Sequence, residues 1–223
     1  MRGRSVFSNY HSNYKLITSI KIFLIYAAAY SFTNHVDFFP SIPAPRVDFD
    51  QFFSFAPHWI WIYLSELFFV PIGIYFFKEE EQMRNFATSF VLLTMITNLI
   101  FLFYPTHMER ELFPNPGAPG SLLFYAFDLL RTVDSPRNCF PSLHVATSFL
   151  ISFYLGIKNK KIGQVAFYYS ILVALSTLYT KQHRIMDAMS GLLLALFCFI
   201  FMEKILPRLL TQLKKVTEHG PNR

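Results

Sequence analysis

Charged residues are scarce in this chain. Asp, Glu, Lys and Arg make up 15% of its 223 residues, whereas soluble domains carry nearer to about 25%. Hydrophobic residues make up 53%, Phe alone contributes 27 residues, and the mean hydropathy is +0.34. This composition excludes an ordinary soluble domain. It predicts a polytopic membrane protein that lies in the lipid bilayer.

Other features that the sequence lacks exclude further classes. It has two cysteines, Cys139 and Cys198, without neighbours at metal-ligand spacing, so the pattern predicts neither a zinc site nor a disulfide. No run rich in Lys and Arg resembles a nucleic-acid patch, and we expect no nucleic-acid partner. There is no internal repeat, low-complexity tract or second soluble domain. We therefore predict that residues 1–223 form a single integral membrane domain.

Long apolar stretches give the fold class. A spanning helix needs about 20 mainly apolar residues, and six stretches approach this length: about 16–34, 58–77, 86–104, 143–157, 163–181 and 185–205. We predict an all-α, polytopic membrane helix bundle with six transmembrane helices. The fourth stretch is the shortest and spans only if it begins at the Pro141 turn. The first also fits a cleaved signal peptide, because basic residues precede a short apolar core.

The segments between these stretches are predicted loops. Residues 35–57 and 105–142 form the two long ones, and the apolar piece 121–130 within the second predicts an amphipathic helix at the membrane interface. With six spans, one side of the membrane receives thirteen Lys and Arg residues and the other six. Cytoplasmic loops carry the excess of Lys and Arg. The count therefore predicts cytoplasmic termini and places both long loops toward the periplasm, lumen or cell exterior.

Three short segments that carry reactive polar side chains lie at span ends on this outer side. They are YPTHMER (104–110), RNCFPSLH (137–144) and TKQHRIMD (180–187). His183 and Asp187 are four residues apart, so they share a face if residues 183–205 form one helix. A carboxylate there can fix the imidazole tautomer and make the other ring nitrogen more basic. A structural pair at a helix start is the alternative interpretation.

The second segment offers an anion site beside a histidine. Pro141 suits the first turn of a helix, and the free N–H groups of that turn, with the Ser142 hydroxyl, can bind a phosphate oxygen. His144 follows and could equally be a hydrogen-bonded core residue. The nearby cations could neutralise a phosphate or extend to the lipid surface; they are Arg110, Lys181 and Arg184. Together these groups favour phosphoryl transfer through a phosphohistidine.

These segments resemble the type-2 phosphatidic acid phosphatase superfamily, in the branch that contains inositol phosphorylceramide synthases. The resemblance rests on Pro105-Thr106 with Arg110, on residues 138–144, and on residues 180–187. It covers most of residues 50–200, which we predict to be the catalytic core, and includes PHWIWIYLS (57–65) in the second span.

The resemblance implies a role for each matching residue. His183 would be the nucleophile, Asp187 would orient it, and His144 would be the acid for the leaving group. Arg110 and Lys181 would bind phosphate, the substrate would be a lipid, and neither a metal nor another cofactor would be needed.

The chain departs from the family pattern at several positions. Phe103 and Thr177 stand where phosphatases of the superfamily have Lys and Arg, and Glu111 stands in place of Pro. Arg184 replaces an aromatic residue. Leu143 replaces Gly, which favours the transferase-like branch. These departures leave the phosphate-binding set, the lipid and the choice between hydrolysis and transfer open.

Other functions fit the same residues. A transporter could use His183 and Asp187 as a proton relay, although such transporters have two related halves and the sequence has no such symmetry. A metal enzyme could use the two histidines and the aspartate. A non-catalytic family member would fit the substitutions at Phe103 and Thr177.

Overall fold

The chain folds almost entirely into helices. The computed structural model describes residues 3–36 and 38–218; Arg2 and Arg223, which the charge count includes, lie outside them. The helices are α1 Gly3–His35, α2 Ile60–Tyr75, α3 Glu80–Phe103, α4 Leu122–Val133, α5 Leu143–Lys158, α6 Lys160–Tyr179, α7 Ile185–Ile200 and α8 Leu206–Glu218. A π-helical turn, Phe201–Ile205, joins α7 to α8. The predicted all-α class is confirmed.

Each predicted apolar stretch contains a helix, but their lengths differ. Within the described residues, four helical segments are long and apolar enough to cross a membrane: Asn13–His35, Glu80–Phe103, Lys160–Tyr179 and Ile185–Lys214. The helices α2 and α5 have 16 residues each, or about 24 Å, which is short of a hydrocarbon core of about 30 Å. The count of six spans therefore stays a prediction for these two helices.

The helix α5 lies at the centre of the bundle. It packs against α2, α3, α6 and α7, and every residue from 145 to 152 is buried. Because other helices surround it, its apolar side chains face protein on nearly all sides. Its partner α6 approaches closely where Gly156 meets Gly163, since a Cβ atom on Gly163 would lie 2.3 Å from the Cα of Gly156.

The two long loops pack on each other at one end of the bundle. A short parallel pair joins β1, Ile42–Pro43, to β2, Thr106–His107. The sequence predicts loops for both segments and does not indicate this pairing, because two residues are too few to show an alternating pattern. The pair fixes the first loop against the segment that carries Arg110.

The predicted amphipathic helix in the second loop is present as α4. It buries Ala126, Phe127 and Leu130 and leaves an apolar face exposed. That face comprises Leu122, Tyr125, Leu129 and Val133. Exposed apolar residues along one face suit a helix at the membrane interface, so the interfacial position stays a prediction that this face favours.

The predicted stretches 143–157 and 185–205 begin where α5 and α7 begin, but Pro141 and His183, which are expected in the first turns, precede these helices. The helix α5 begins at Leu143 with Ser142 as its N-cap, so Pro141 precedes the first turn and joins Phe140 through a cis peptide bond. The helix α7 begins at Ile185 with Arg184 as its N-cap. His183 therefore lies in the preceding turn and does not share a helix face with Asp187.

Candidate active site

The three segments 104–110, 137–144 and 180–187 lie close together at the end of the bundle that the two long loops cover. The helices α2, α5 and α7 begin at this end, and α1, α3 and α6 end there. Contacts between these ends hold them together: Ala56 N–H donates to the Tyr179 carbonyl at 2.9 Å, and Trp59 stacks on Tyr179. Phe140 N–H donates to the Thr106 hydroxyl at 2.9 Å, which joins the first segment to the second.

His144 lies between an aromatic ring and the second histidine. Its ring packs on Tyr63 of α2, with centroids 4.5 Å apart and planes tilted by 32°. The centroid of the His183 ring is 6.0 Å away. A single phosphoryl group can contact two imidazoles at this separation. The sequence predicts the pairing of the two histidines but not the contact with Tyr63, for which the aromatic-rich stretch PHWIWIYLS is the signal.

Asp187 connects the turn that carries His183 to the start of α7. Its Oδ2 atom accepts the Arg184 N–H at 2.8 Å and lies 3.6 Å from His183 Nδ1. Asp187 is fully buried, and its Oδ1 atom and His183 Nδ1 have no hydrogen-bond partner in the structure. Catalytic hydrogen bonds are often long without substrate. This geometry favours a proton on Nδ1 and leaves Nε2 as the free lone pair.

The turn before His183 is held by the carbonyl of Thr177, one of the positions where the chain differs from the family pattern. The Thr177 carbonyl accepts N–H groups from Gln182 at 3.0 Å and from His183 at 3.1 Å, and Lys181 has a φ of 57°. Thr177 is fully buried. Phe103, the other departure, is 69% exposed at the end of α3. Thr177 therefore supports the turn through its backbone, and Phe103 faces away from the core.

Arg110 is held by an aspartate that lies outside the predicted site residues. Its Nη1 atom donates to the Asp134 carbonyl at 2.5 Å, and Nη2 donates to Asp134 Oδ2 at 2.9 Å. Tyr30 of α1 donates to the other carboxylate oxygen at 2.5 Å. Arg110 Nε is buried without a partner. Asp134 lies in a loop between α4 and the second segment, so no periodic pattern marks it.

Lys181 and Arg184 line a cleft of about 300 Å³ together with His183. Lys181 donates to the Phe53 carbonyl and lies 5.6 Å from the Phe113 ring centroid. Arg184 donates to the Ala44 carbonyl at 2.7 Å and pairs with Glu109 at 2.8 Å. Arg184 is thus part of the cleft wall and does not extend outward to lipid headgroups.

Ser142 connects α5 to α7. Its hydroxyl accepts the Val145 N–H at 3.5 Å as the N-cap of α5, and its own N–H donates to the Asp187 carbonyl at 2.9 Å. A Cβ atom on Gly191 would lie 2.5 Å from the Ser142 carbonyl oxygen. Only glycine lets α7 approach α5 this closely, and the approach brings His183 and Asp187 to His144.

Two titratable groups around the site are shifted by burial. Burial raises the pKa of the Cys139 thiol well above its usual value, and this cysteine donates to the Pro136 carbonyl at 3.2 Å. Burial lowers the pKa of Arg131 on α4, and the charge of nearby Arg110 lowers it further. Within the described residues, no three metal-binding side chains lie together.

Comparison with known proteins assigns the family. The family model of the PAP2 superfamily matches residues 46–201, more than half of the chain. The chain belongs to the PAP2 superfamily. It is also 23% identical over 176 residues to a fission yeast protein, the inositol phosphorylceramide synthase catalytic subunit aur1 of Schizosaccharomyces pombe.

This alignment covers 71% of the chain and 42% of the yeast protein. The chain thus spans less than half the length of the curated relative that it matches. No solved structure matches the chain significantly. The resemblance seen in the three segments, including the branch of inositol phosphorylceramide synthases, is confirmed by the family match and by this relative.

Proposed function

We propose that this protein is an integral membrane lipid phosphatase or phosphotransferase that forms a phosphohistidine on His183. The observation that carries the proposal is the arrangement of three side chains. The rings of His144 and His183 are 6.0 Å apart, and the buried Asp187 lies 3.6 Å from His183 Nδ1. Membership of the PAP2 superfamily supports the same class of reaction.

In the first step, His183 attacks phosphorus through Nε2. Asp187 keeps the proton on Nδ1 and stabilises the positive charge that develops on the ring. A P–N bond forms as the P–O bond to the leaving alcohol breaks. His144, protonated at the start of the step, donates its proton to the departing oxygen. The products are the free alcohol, the phosphohistidine and a neutral His144.

In the second step, His144 is the base. It accepts a proton from water or from the hydroxyl of an acceptor lipid while that oxygen attacks phosphorus. The P–N bond breaks, and both histidines return to their starting states. Water gives a phosphatase and an alcohol gives a transferase. The yeast relative is named a synthase, which favours transfer to an alcohol.

The surrounding cations stabilise the charge of the transferring group. Lys181 and Arg184 line the same cleft as His183. Arg110 is held by two hydrogen bonds to Asp134, so little side-chain entropy is lost when it binds phosphate. The Ser142 hydroxyl and the first turn of α5 complete the proposed phosphate site.

We place this site on the outer side of the membrane, with both termini cytoplasmic. The cleft lies among the two long loops, which belong to the side with six Lys and Arg residues. The positive-inside bias favours this orientation. The substrate would then be a lipid of the outer or lumenal leaflet.

The test is turnover by the purified 223-residue chain in lipid nanodiscs. The substrates are lipid phosphates and labelled phospholipids, with and without alcohol acceptors. We expect the wild type to release phosphate or to form a labelled lipid product. His183→Ala should abolish turnover without unfolding the protein, whereas His58→Ala, at an exposed histidine, should retain it. Full activity in His183→Ala would contradict the proposal.

Phosphohistidine is tested directly with a substrate that is radiolabelled in its phosphate. Rapid denaturation at alkaline pH should trap label on the wild type and on His144→Ala, and none on His183→Ala. Substrate uptake without phosphate release would identify a transporter instead. A folded wild type that turns over none of the lipids and traps no label would identify a non-catalytic family member.

A further inference from the structure

A buried carboxylate lies outside the proposed catalytic machinery. Glu66 on α2 is 6% exposed, and its Oε1 atom accepts a hydrogen bond from the Thr147 hydroxyl at 2.8 Å. An ionisable group among apolar helices of a membrane protein is costly and marks a functional site by default. Nothing in the proposed phosphoryl transfer uses Glu66, so its presence needs another explanation.

Glu66 lies about one helical turn deeper in the bundle than His144. The helices α2 and α5 both begin at the site, and Tyr63 of α2 packs on His144 of α5. Glu66 follows Tyr63 by three positions and Thr147 follows His144 by three positions, and the two side chains are joined by a hydrogen bond. The carboxylate is therefore about 5 Å deeper in the bundle than the Tyr63–His144 pair.

Glu66 and Thr147 line a groove between α1 and α2 with a volume of about 270 Å³. The rest of its wall is mainly apolar and includes Ile22, Val70 and Phe90. From Tyr26 to Leu16 the groove follows α1 for ten residues, about 15 Å. This is the hydrocarbon thickness of one leaflet, about half of 30 Å.

The groove opens to the surface that would face lipid. Three of its lining residues are strongly exposed: Leu16 at 60%, Phe23 at 63% and Leu67 at 62%. A lipid chain could therefore enter sideways from the bilayer. The end of the groove near the site carries Glu66 and Thr147, and the other end is apolar apart from Ser19. This matches the polarity of a lipid that has its head in the catalytic cleft.

We propose that the α1–α2 groove binds one hydrocarbon chain of the lipid that reacts at His144 and His183, and that Glu66 accepts a hydrogen bond from an N–H or O–H group at the head of that chain. The inference rests on the proposed function. Thr147 supplies one donor to the carboxyl group, and a buried carboxyl group needs further donors to offset its desolvation. The groove would thus select amide or hydroxyl lipids over lipids with ester groups alone.

The test uses two photoreactive probes with the 223-residue chain in nanodiscs. The first is a long-chain N-acyl amino alcohol with a diazirine in its acyl chain. The second is the same compound with its amide nitrogen and hydroxyl oxygens methylated, so that it carries no donor. The first probe should crosslink to segments 16–26 and 66–74. The methylated probe should label them about fivefold less, the scale of one hydrogen bond.

Variants separate the chain groove from the hydrogen bond. Ser19→Phe fills the groove and should reduce labelling by both probes. Glu66→Leu should remove the preference for the first probe, whereas Glu66→Gln keeps an acceptor oxygen and should retain most of it. Leu99→Phe enlarges an exposed residue of α3 outside the groove and should change nothing.

Two results would overturn the inference. One is crosslinking that maps outside the groove; the other is equal labelling by both probes in the wild type. The proposed function fails separately. Labelling of the groove without any turnover would support the lipid-chain site and contradict the proposed function. Turnover with labelling elsewhere would support the proposed function and contradict the lipid-chain site.

Discussion

Asp187 serves two neighbours through one carboxylate. One oxygen accepts the Arg184 N–H and faces His183, so the residue caps α7 and orients the proposed nucleophile at once. Replacement by alanine would remove both contacts and confuse their effects. Asparagine separates them, because its amide oxygen can still cap the helix but carries no charge to stabilise an imidazolium.

We therefore predict that Asp187→Asn lowers kcat by about a hundredfold or more, the usual scale of acid–base assistance, and leaves the unfolding temperature nearly unchanged. Turnover and thermal unfolding of the same preparation measure the two effects. Asp128→Asn, at an exposed carboxylate of α4, is the matched control and should behave as wild type. Normal turnover by Asp187→Asn would mean that the carboxylate is a helix cap only.

Asn138 combines a backbone and a side-chain role at the junction with α1. Its φ is 58°, in the left-handed region, and its Nδ2 atom donates to the Thr33 hydroxyl at 3.0 Å. Thr33 in turn donates to Asn98 of α3 at 2.8 Å. The residue thus connects the loop before His144 to two helices.

We expect Asn138→Ala to destabilise the fold by about 2 kcal/mol, since it loses a hydrogen bond and replaces asparagine, which tolerates the left-handed region, with a residue that rarely adopts it. Asn138→Gly should cost less, because glycine tolerates this conformation. Thermal unfolding in detergent ranks the three proteins. Equal losses in the two variants would assign the whole effect to the hydrogen bond.

At the scale of elements, the site depends on how closely α7 approaches the start of α5. Gly191 permits that approach, and Gly163 permits the equally close contact between α6 and α5. The second contact lies at the other end of α5, since Gly156 is near its C-terminus. The two glycines therefore test packing near the site against packing remote from it.

Gly191→Ala should lower turnover per folded molecule by tenfold or more, on the order of the 1–3 kcal/mol that overpacking costs, because the new Cβ pushes α7 and His183 away from His144. Gly163→Ala should lower the unfolding temperature while turnover per folded molecule is retained. Activity and folded fraction, measured together, distinguish the outcomes. Equal losses of turnover in both variants would show that the whole bundle loosens, without a specific effect on the site.

At the scale of the whole molecule, the orientation of the loops depends on the number of helices that cross the membrane. If α2 and α5 both cross, the loop after α2 and the turn between α5 and α6 are cytoplasmic, and the loop that carries α4 is outside. If either fails to cross, these assignments change. The native thiols do not interfere, because Cys139 and Cys198 are both buried.

We predict that a membrane-impermeant maleimide labels Leu112→Cys in intact cells and labels Lys78→Cys and Lys158→Cys only after permeabilisation. All three positions are exposed. The wild type should stay unlabelled until it is denatured. Labelling of Lys78→Cys in intact cells would contradict both the orientation and the six-span count.

The sequence by itself determined the helical class and the three segments, and it predicted His144, His183 and Asp187 as site residues. Apolar stretches of spanning length force backbone hydrogen bonds to close within helices, and the three segments carry their own residue order. These are local properties, so they can be recognised without knowledge of the packing.

Only the tertiary structure decided which groups surround these residues. It placed Tyr63 on His144, Asp134 on Arg110, and His183 in a turn before α7. It also placed Glu66 beside Thr147, 81 positions along the chain, at the floor of a groove. Such contacts join residues that are remote in sequence, and they arise only when whole helices pack, because the pattern within one helix does not specify the partner it meets.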